Sequence, residues 1–321
     1  MKTGKRAAAL ALALCLLLAG CGSKSGTSGP TKVVLIAKST QTEFWKSVFA
    51  GAKAAASEYN VELTIAGPET EEDFAAQNDY IDLAVAGGAA ALVFSAISYD
   101  ENAPAIDRAA AAGVKVVVID SDVHSNAVAA RIGTDNVDAG RKAAEAALQA
   151  REGELVVGLI NYDLGSRNGQ EREAGVREVF SGESRVKGIY GINVLAEQED
   201  ARLKTLDLLQ RHPEINALIA FNEPTSVGAA LAVDELELNG LVSLVGFDSN
   251  VRTVDLMQTG AVSALVVQNP YAMGYLGVET ACSLLGGVIY DPNALIDTST
   301  RVVRRENMFD LESQKTMFSF H

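Results

Sequence analysis

The chain has 321 residues, 48% of them hydrophobic, and carries 41 acidic against 27 basic side chains for a formal charge of −14. That length and apolar content suffice for two domains, each with its own core. The acidic balance argues against a nucleic-acid partner and against any electrostatic hold on anionic lipid.

At the amino terminus Lys2, Lys5 and Arg6 precede an apolar run from Ala7 to Leu18, which exits as Leu18-Ala19-Gly20-Cys21. A basic start, a short apolar stretch and small exit residues mark 1–20 as a signal peptide; the run is too short to span a bilayer. The exit resembles a bacterial lipobox, which implies a lipid on Cys21; ordinary cleavage after Gly20 is the alternative. Residues 21–31 form a Gly/Ser-rich tether. With Cys15 in the leader and Cys21 lipidated, Cys282 has no intrachain partner, and its apolar helical surroundings (Ala281, Leu284, Leu285) read as core.

Past the tether, Val33-Val34-Leu35-Ile36-Ala37 has the length and branching of a strand buried on both faces. Six polar residues, Lys38 to Glu43, separate it from a helical pattern carrying Phe44, Trp45, Val48, Phe49, Ala52 and Ala56, with Thr42 placed to cap the first turn. Phe44 reads as a core residue. Trp45, the single tryptophan, stands beside a polar turn where a stacking platform belongs.

The same alternation continues. Strands are expected at 61–65, 91–94, 114–119 and 129–132, with helices at 74–85 and 103–112. A second series places helices at 139–150, 171–180, 202–211, 227–236 and 251–259 among strands at 155–160, 186–190, 217–220, 242–245 and 264–267. A helix at 271–285 and a strand at 301–303 complete it. This is an α/β chain with parallel sheets, and its more than eight strands fit two doubly wound lobes better than a closed (β/α)₈ barrel.

Ligands of open parallel sheets bind where strands end, and polar groups recur there. Lys38, Asp120, Asn222, Glu223, Asp248 and Gln268 follow strands, and Arg172 opens a helix. Each has a structural alternative: a cap or turn for Asp120, Asn222 and Asp248, a surface ion pair for Arg172, a hinge hydrogen bond for Gln268. Together with Phe44, Trp45 and Phe247 they suit a neutral polyhydroxyl ligand. Carboxylates accept from vicinal hydroxyls, Arg and Asn donate to oxygens, and an aromatic face covers the C–H side. No P-loop, dinucleotide fingerprint, zinc-protease motif or nucleophile elbow occurs. The three histidines, His124, His212 and His321, form no cluster in sequence, and neither an enzyme, a cofactor nor a metal is expected.

Several of these segments resemble the type I periplasmic binding proteins of the ribose, allose and galactose group. The landmarks are Phe44-Trp45 with Gly51-Ala52, Val118-Ile119-Asp120, Thr134-Asp135-Asn136 and Arg172-Glu173-Ala174-Gly175, then His212-Pro213-Glu214, Phe221-Asn222-Glu223, Val245-Gly246-Phe247-Asp248 and Gln268-Asn269-Pro270. Lys38 and the Glu72-Asp73-Phe74 segment with Gln77 look most like the allose-binding branch. The resemblance implies ligand contacts by Lys38, Phe44, Trp45, Asp120, Arg172, Asn222, Asp248 and Gln268, and two lobes joined by a hinge of three crossovers. It places 32–134 and 269–297 in the N-terminal lobe, and 135–268 and 298–321 in the C-terminal lobe. It further implies a monomeric lipoprotein outside the cytoplasm that captures a small neutral sugar or polyol and delivers it to the permease of an ABC importer. Presentation of the closed form to a membrane histidine kinase or chemoreceptor is the alternative. Glu43 and Thr42 depart from the Pro and Asn of many relatives, as does Ser121 from the Arg of ribose binders, and 195–200 lacks their aromatic wall.

Overall fold

The computed structural model describes residues 29–318. The expected signal peptide at 1–20, the expected lipidation at Cys21, the expected tether up to residue 28 and residues 319–321 at the expected end of the C-terminal lobe lie outside the described residues.

Val33, Leu35 and Ile36 have no exposed surface, as a strand covered on both faces requires. They belong to β1 (Lys32–Ile36), which leads into α1 (Glu43–Glu58), where the Thr42 side chain accepts from the Trp45 backbone N–H. The first lobe continues through β2 (Glu62–Ala66), α2 (Phe74–Ala86), β3 (Ala91–Phe94), α3 (Ala103–Ala111), β4 (Lys115–Ile119) and β5 (Ala130–Gly133). The second contains α4 (Asn136–Ala150), β6 (Leu155–Tyr162), α5 (Arg167–Ser181), β7 (Val186–Val194), α6 (Gln198–Arg211) and β8 (Ala217–Ala220). It goes on with α7 (Glu223–Glu235), β9 (Ser243–Phe247), α8 (Val251–Thr259) and β10 (Ala264–Val267). The chain ends with α9 (Pro270–Leu285), β11 (Leu295–Asp297), β12 (Arg301–Arg304) and α10 (Leu311–Met317).

Two six-stranded sheets result. One has the order β11-β5-β4-β3-β1-β2 and is parallel throughout. The other has the order β12-β10-β9-β8-β6-β7, with only β12 antiparallel. An apolar cluster lies against each face of each sheet. The chain passes between the sheets three times: after β5, after β10 into α9, which packs on α1, and after β11.

The helix that follows each of the first two crossings is fastened to its lobe by paired glycines. A side-chain carbon at Gly51 would overlap the Tyr271 carbonyl, and one at Gly274 the Val48 carbonyl, so α1 and α9 touch backbone to backbone. In the other lobe Gly140 meets the Arg172 carbonyl and Gly175 the Val137 carbonyl, joining α4 to α5 in the same way. Any larger residue would hold these helices apart.

Several boundaries differ from expectation. The helices α4, α5, α6 and α7 start three or four residues earlier than the apolar pattern, at Asn136, Arg167, Gln198 and Glu223. Their first turns are largely polar, and the signal lies instead in caps such as Asp135 and Asn222. β6 runs on to Tyr162 and β7 to Val194. The three-residue β11, with Leu295 and Asp297 exposed, and the short α10 carry no periodicity from which to predict them. Cys282 is half-buried and packs against the core of the first lobe. No described helix is long and apolar enough to cross a membrane.

Candidate functional site

All eight ligand contacts expected from the sequence border one cavity between the lobes, of about 290 Å³ counting its mouth. Lys38 lies just past β1, Phe44 and Trp45 in the first turn of α1, and Asp120 directly after β4. From the second lobe come Arg172 in the second turn of α5, Asn222 as the cap of α7, and Asp248 and Gln268 directly after β9 and β10.

Asp120 and Asp248 are aimed into the cleft by the same device. Their φ angles, 58° and 66°, are left-handed, a region that Asp enters more readily than most residues. The Asp120 N–H donates to the Ile132 carbonyl and the Asp248 N–H to that of Val266, each at 3.0 Å, so each turn is tied to the neighbouring strand. Burial raises the Asp120 carboxyl above its usual range, against the pull of Lys38 and Arg172. Asp120 keeps some surface open to the cavity even though protein atoms surround it. Burial pushes Asp248 up to about 7, opposed by Arg172 and by the Gln268 amide.

Arg172 is 1% exposed. Its Nε donates to Asn136 Oδ1 at 2.9 Å, Nη1 to the Phe221 carbonyl at 2.6 Å and Nη2 to Gln268 Oε1 at 2.8 Å. The guanidinium lies 4.6 Å from the Phe247 ring centroid, a cation–π distance. Gln268 Oε1 also accepts from Thr134 Oγ1 at 2.9 Å, while Gln268 Nε2 donates to Asp248 Oδ1 at 2.8 Å. Arg172 thus joins the floor of the cavity to the first two crossovers, and Gln268 does make a hinge hydrogen bond.

Asn222 is both a cap and a cavity residue. Its Oδ1 accepts from the Thr225 N–H at 3.1 Å, while the buried Nδ2 has no partner in the protein. A buried amide donor left open at a cavity wall is a place for a ligand oxygen.

The two aromatic residues exchange the roles expected of them. Trp45 is 1% exposed and part of the core as well as the cavity wall, whereas Phe44 is half-buried and meets it edge-on at 5.2 Å. Residue 45 falls on the inward face of α1, which the periodicity of Val48 and Ala52 already traces.

Thr42, Glu71, Tyr162, Asn168 and Pro224 also border the cavity, none of them expected as a ligand contact, and so does Glu223, one of the strand-end polar groups that suit a polyhydroxyl ligand. Tyr162 falls in the two residues by which β6 outruns the apolar pattern, and Asn168 in the polar first turn of α5; the run Asn161-Tyr162-Asp163 is the signal the sequence offers for them. Glu71 comes from the loop after β2, and Glu223 follows Asn222 at the start of α7. Burial pushes the Tyr162 hydroxyl up to about 12 despite Arg172 and Lys38 nearby. Burial pulls the Lys38 ammonium down, but the carboxylate of Glu71 and, less, Tyr162 and Asp120 raise it above its ordinary value.

The lobes are closed on each other. Lys38 Nζ donates across the cleft to Ser166 Oγ at 2.9 Å and Asn168 Nδ2 to Asp120 Oδ1 at 3.2 Å. The Phe44 N–H donates to Glu223 at 2.9 Å and the Ala196 N–H to Glu72 at 2.8 Å. A wider groove of about 920 Å³ opens beside the cavity, between the start of α1 and residues 249–252, with Met317 and Phe318 on one side. Its surface is mainly apolar and it shares only Phe44, Asp248 and Gln268 with the cavity. Convergent polar groups, not size, make the smaller space the candidate binding site. Among the described residues no His, Cys, Asp and Glu cluster could hold a metal ion.

The profile of the family described as "Periplasmic binding protein domain" matches residues 33–288. A D-ribose/D-allose-binding protein of Pseudomonas aeruginosa is 26% identical over 317 residues, covering 93% of this chain and 99% of its own. A ribose import binding protein of Bacillus subtilis is 28% identical over 298 residues, covering 88% and 94%. A carbohydrate transporter solute-binding protein from Agrobacterium radiobacter, solved in complex with D-arabinose, has a TM-score of 0.87 and 28% identity, over 91% of this chain and 100% of that one.

Proposed function

The chain belongs to the periplasmic binding protein family, and on that premise we propose that it captures a small neutral sugar or polyol in the cleft and delivers it to the permease of an ABC importer. The observation that carries this reading is the meeting of Asp120, Asp248, Arg172 and Asn222 with two aromatic rings in one cavity between the lobes. Paired carboxylates would accept from neighbouring hydroxyls, and the open Asn222 amide and the remaining Arg172 N–H groups would donate to oxygens. Phe44, the half-buried ring, would lie on the C–H face of the ligand, with Trp45 in the adjoining wall as a second aromatic contact.

The reading extends to residues and boundaries. Lys38, Phe44, Trp45, Asp120, Arg172, Asn222, Asp248 and Gln268 are the ligand contacts. The lobes divide at 134/135, 268/269 and 297/298, in agreement with the strand membership of the two sheets. The receptor acts as a monomer outside the cytoplasm, held to the membrane by a lipid on Cys21, a reading supported by the Leu18-Ala19-Gly20-Cys21 exit and the tether behind it.

A ligand that touches both lobes favours closure in proportion to its preference for the closed form. A thermal-shift screen over aldoses, ketoses and polyols, followed by calorimetric titration of any hit, tests the proposal, since a ligand of the folded state raises the midpoint. A saturable shift by a neutral sugar is expected. A receptor that ignores every neutral sugar and polyol but responds to an amino acid or an organic anion would refute it.

A further inference from the structure

Glu71 sits in the cavity wall without being one of the ligand contacts assigned above, and its two oxygens hold two residues that are. Oε1 accepts from the Trp45 indole Nε1 at 2.8 Å, and Oε2 lies 3.1 Å from Lys38 Nζ. Glu71 is 9% exposed, Lys38 and Trp45 1% each, so both bonds are shielded from water. The loop that bears it is clamped to the end of β1. The Ala37 N–H donates to the Ala66 carbonyl, Ser39 Oγ to that of Glu69 at 2.7 Å and the Thr40 N–H to that of Pro68 at 3.1 Å. A side-chain carbon at Gly67 would crowd the Ala37 carbonyl at 2.9 Å, so these segments run at a separation only glycine permits.

We propose that Glu71 is the positioning residue of the sugar site, fixing the Trp45 ring and the Lys38 ammonium as one unit before the ligand arrives. The proposal rests on the sugar-binding reading above and deepens it. Glu71, Lys38 and Trp45 all belong to the first lobe, so the unit survives opening of the cleft. A lysine ammonium has three N–H donors. Here one points to Glu71 and one to Ser166 across the closed cleft, which leaves the third for a ligand oxygen. Without the carboxylate, a buried cation on a flexible stem would have no fixed direction. The indole would lose the one polar contact that fixes its ring, leaving only packing against Phe44 and Phe49 to hold it.

The single tryptophan makes this directly readable. In the ligand-free protein, Glu71→Ala removes the acceptor beside the indole and is expected to displace the Trp45 emission maximum. Glu71→Gln keeps an oxygen for the indole but removes the charge facing Lys38, and is expected to leave emission close to wild type. Both variants should weaken whichever of D-ribose, D-allose and D-arabinose the wild type binds by about ten-fold or more, the scale of one lost charge-assisted hydrogen bond. In a Lys38→Met background the same Glu71→Gln change should cost less than about two-fold, because it acts through Lys38. Unchanged emission in Glu71→Ala, unchanged affinity in Glu71→Gln, or additive losses in the double variant would each overturn the proposal. Should Glu71→Ala fail to fold, Glu71→Gln and the Lys38 pair decide it. A wild type that binds no sugar refutes the sugar reading instead, and the ligand-free emission still decides whether Glu71 holds the ring.

Discussion

Asp248→Asn isolates a single charge. Asn tolerates the left-handed φ of 66° that position 248 adopts, and its amide oxygen can still accept from Gln268 Nε2. In the closed form burial raises the carboxyl from 3.8 to about 7, while in an open cleft water would return it toward the ordinary value. A group whose pKa is raised in one state favours that state at low pH and loses the advantage as pH rises to the raised value. Closure of the ligand-free receptor should therefore weaken as pH climbs from about 4 to about 7 and level off above. From about pH 5 to about pH 7 the change is about 2 kcal/mol, roughly fifty-fold in the ratio of closed to open molecules. Asp120 and Glu223, also raised by burial, add in the same direction. Small-angle scattering of the ligand-free protein should show a larger radius of gyration at about pH 8 than at about pH 5. The same series on Asp248→Asn should be distinctly flatter. A wild-type radius that does not move with pH, or a variant series as steep as the wild type, would refute the reasoning.

Arg172→Met should lower unliganded stability by about 3–5 kcal/mol in a thermal or urea melt, because Asn136 Oδ1 and the Phe221 carbonyl lose their guanidinium donor and Gln268 Oε1 keeps only Thr134. Arg172→Lys should restore little of it, since one ammonium cannot reach Asn136, Phe221 and Gln268 as the fork does. Gly140→Ala should cost roughly 1–3 kcal/mol or more by overpacking against the Arg172 carbonyl, measured against Gly182→Ala, which meets only a distant carbonyl and should be near neutral. Cys21→Ala should release the protein from membranes or leave it unprocessed, read by fractionation and mass spectrometry. A variant that is processed after Gly20 and still membrane-bound would contradict the lipid anchor.

Strand ends were the legible part of this site. Lys38, Asp120, Asn222, Asp248 and Gln268 each stand directly after an apolar run, and parallel sheets bring such positions to one edge. Residues set by loop paths were not legible in that way. Glu71 reaches the cavity because the chain is clamped at Gly67 and Ser39, contacts between segments about thirty residues apart that no local pattern announces. Trp45 borders the cavity as expected, but its depth of burial follows from its place on the inward face of α1 and not from adjacency to a polar turn. The partners that hold Arg172 are not legible either: its guanidinium, expected as a ligand contact, is drawn inward by carbonyl and amide acceptors contributed from Asn136, Phe221 and Gln268.

The paired glycines have a mechanical consequence. Packed side chains can slide past one another by small repacking steps, which is how layered domains shear. Helices seated backbone on backbone, as α1 with α9 and α4 with α5 are, offer no such compliant layer. Each lobe is then stiff right up to the crossings, and deformation concentrates in the few residues beside Thr134, Gln268 and Thr298. Spin labels placed on α1 and α9 should keep a constant separation through a full ligand titration, while a pair on α2 and α6, in opposite lobes, reports all of the travel. The molecule would behave as two rigid levers on a short flexure.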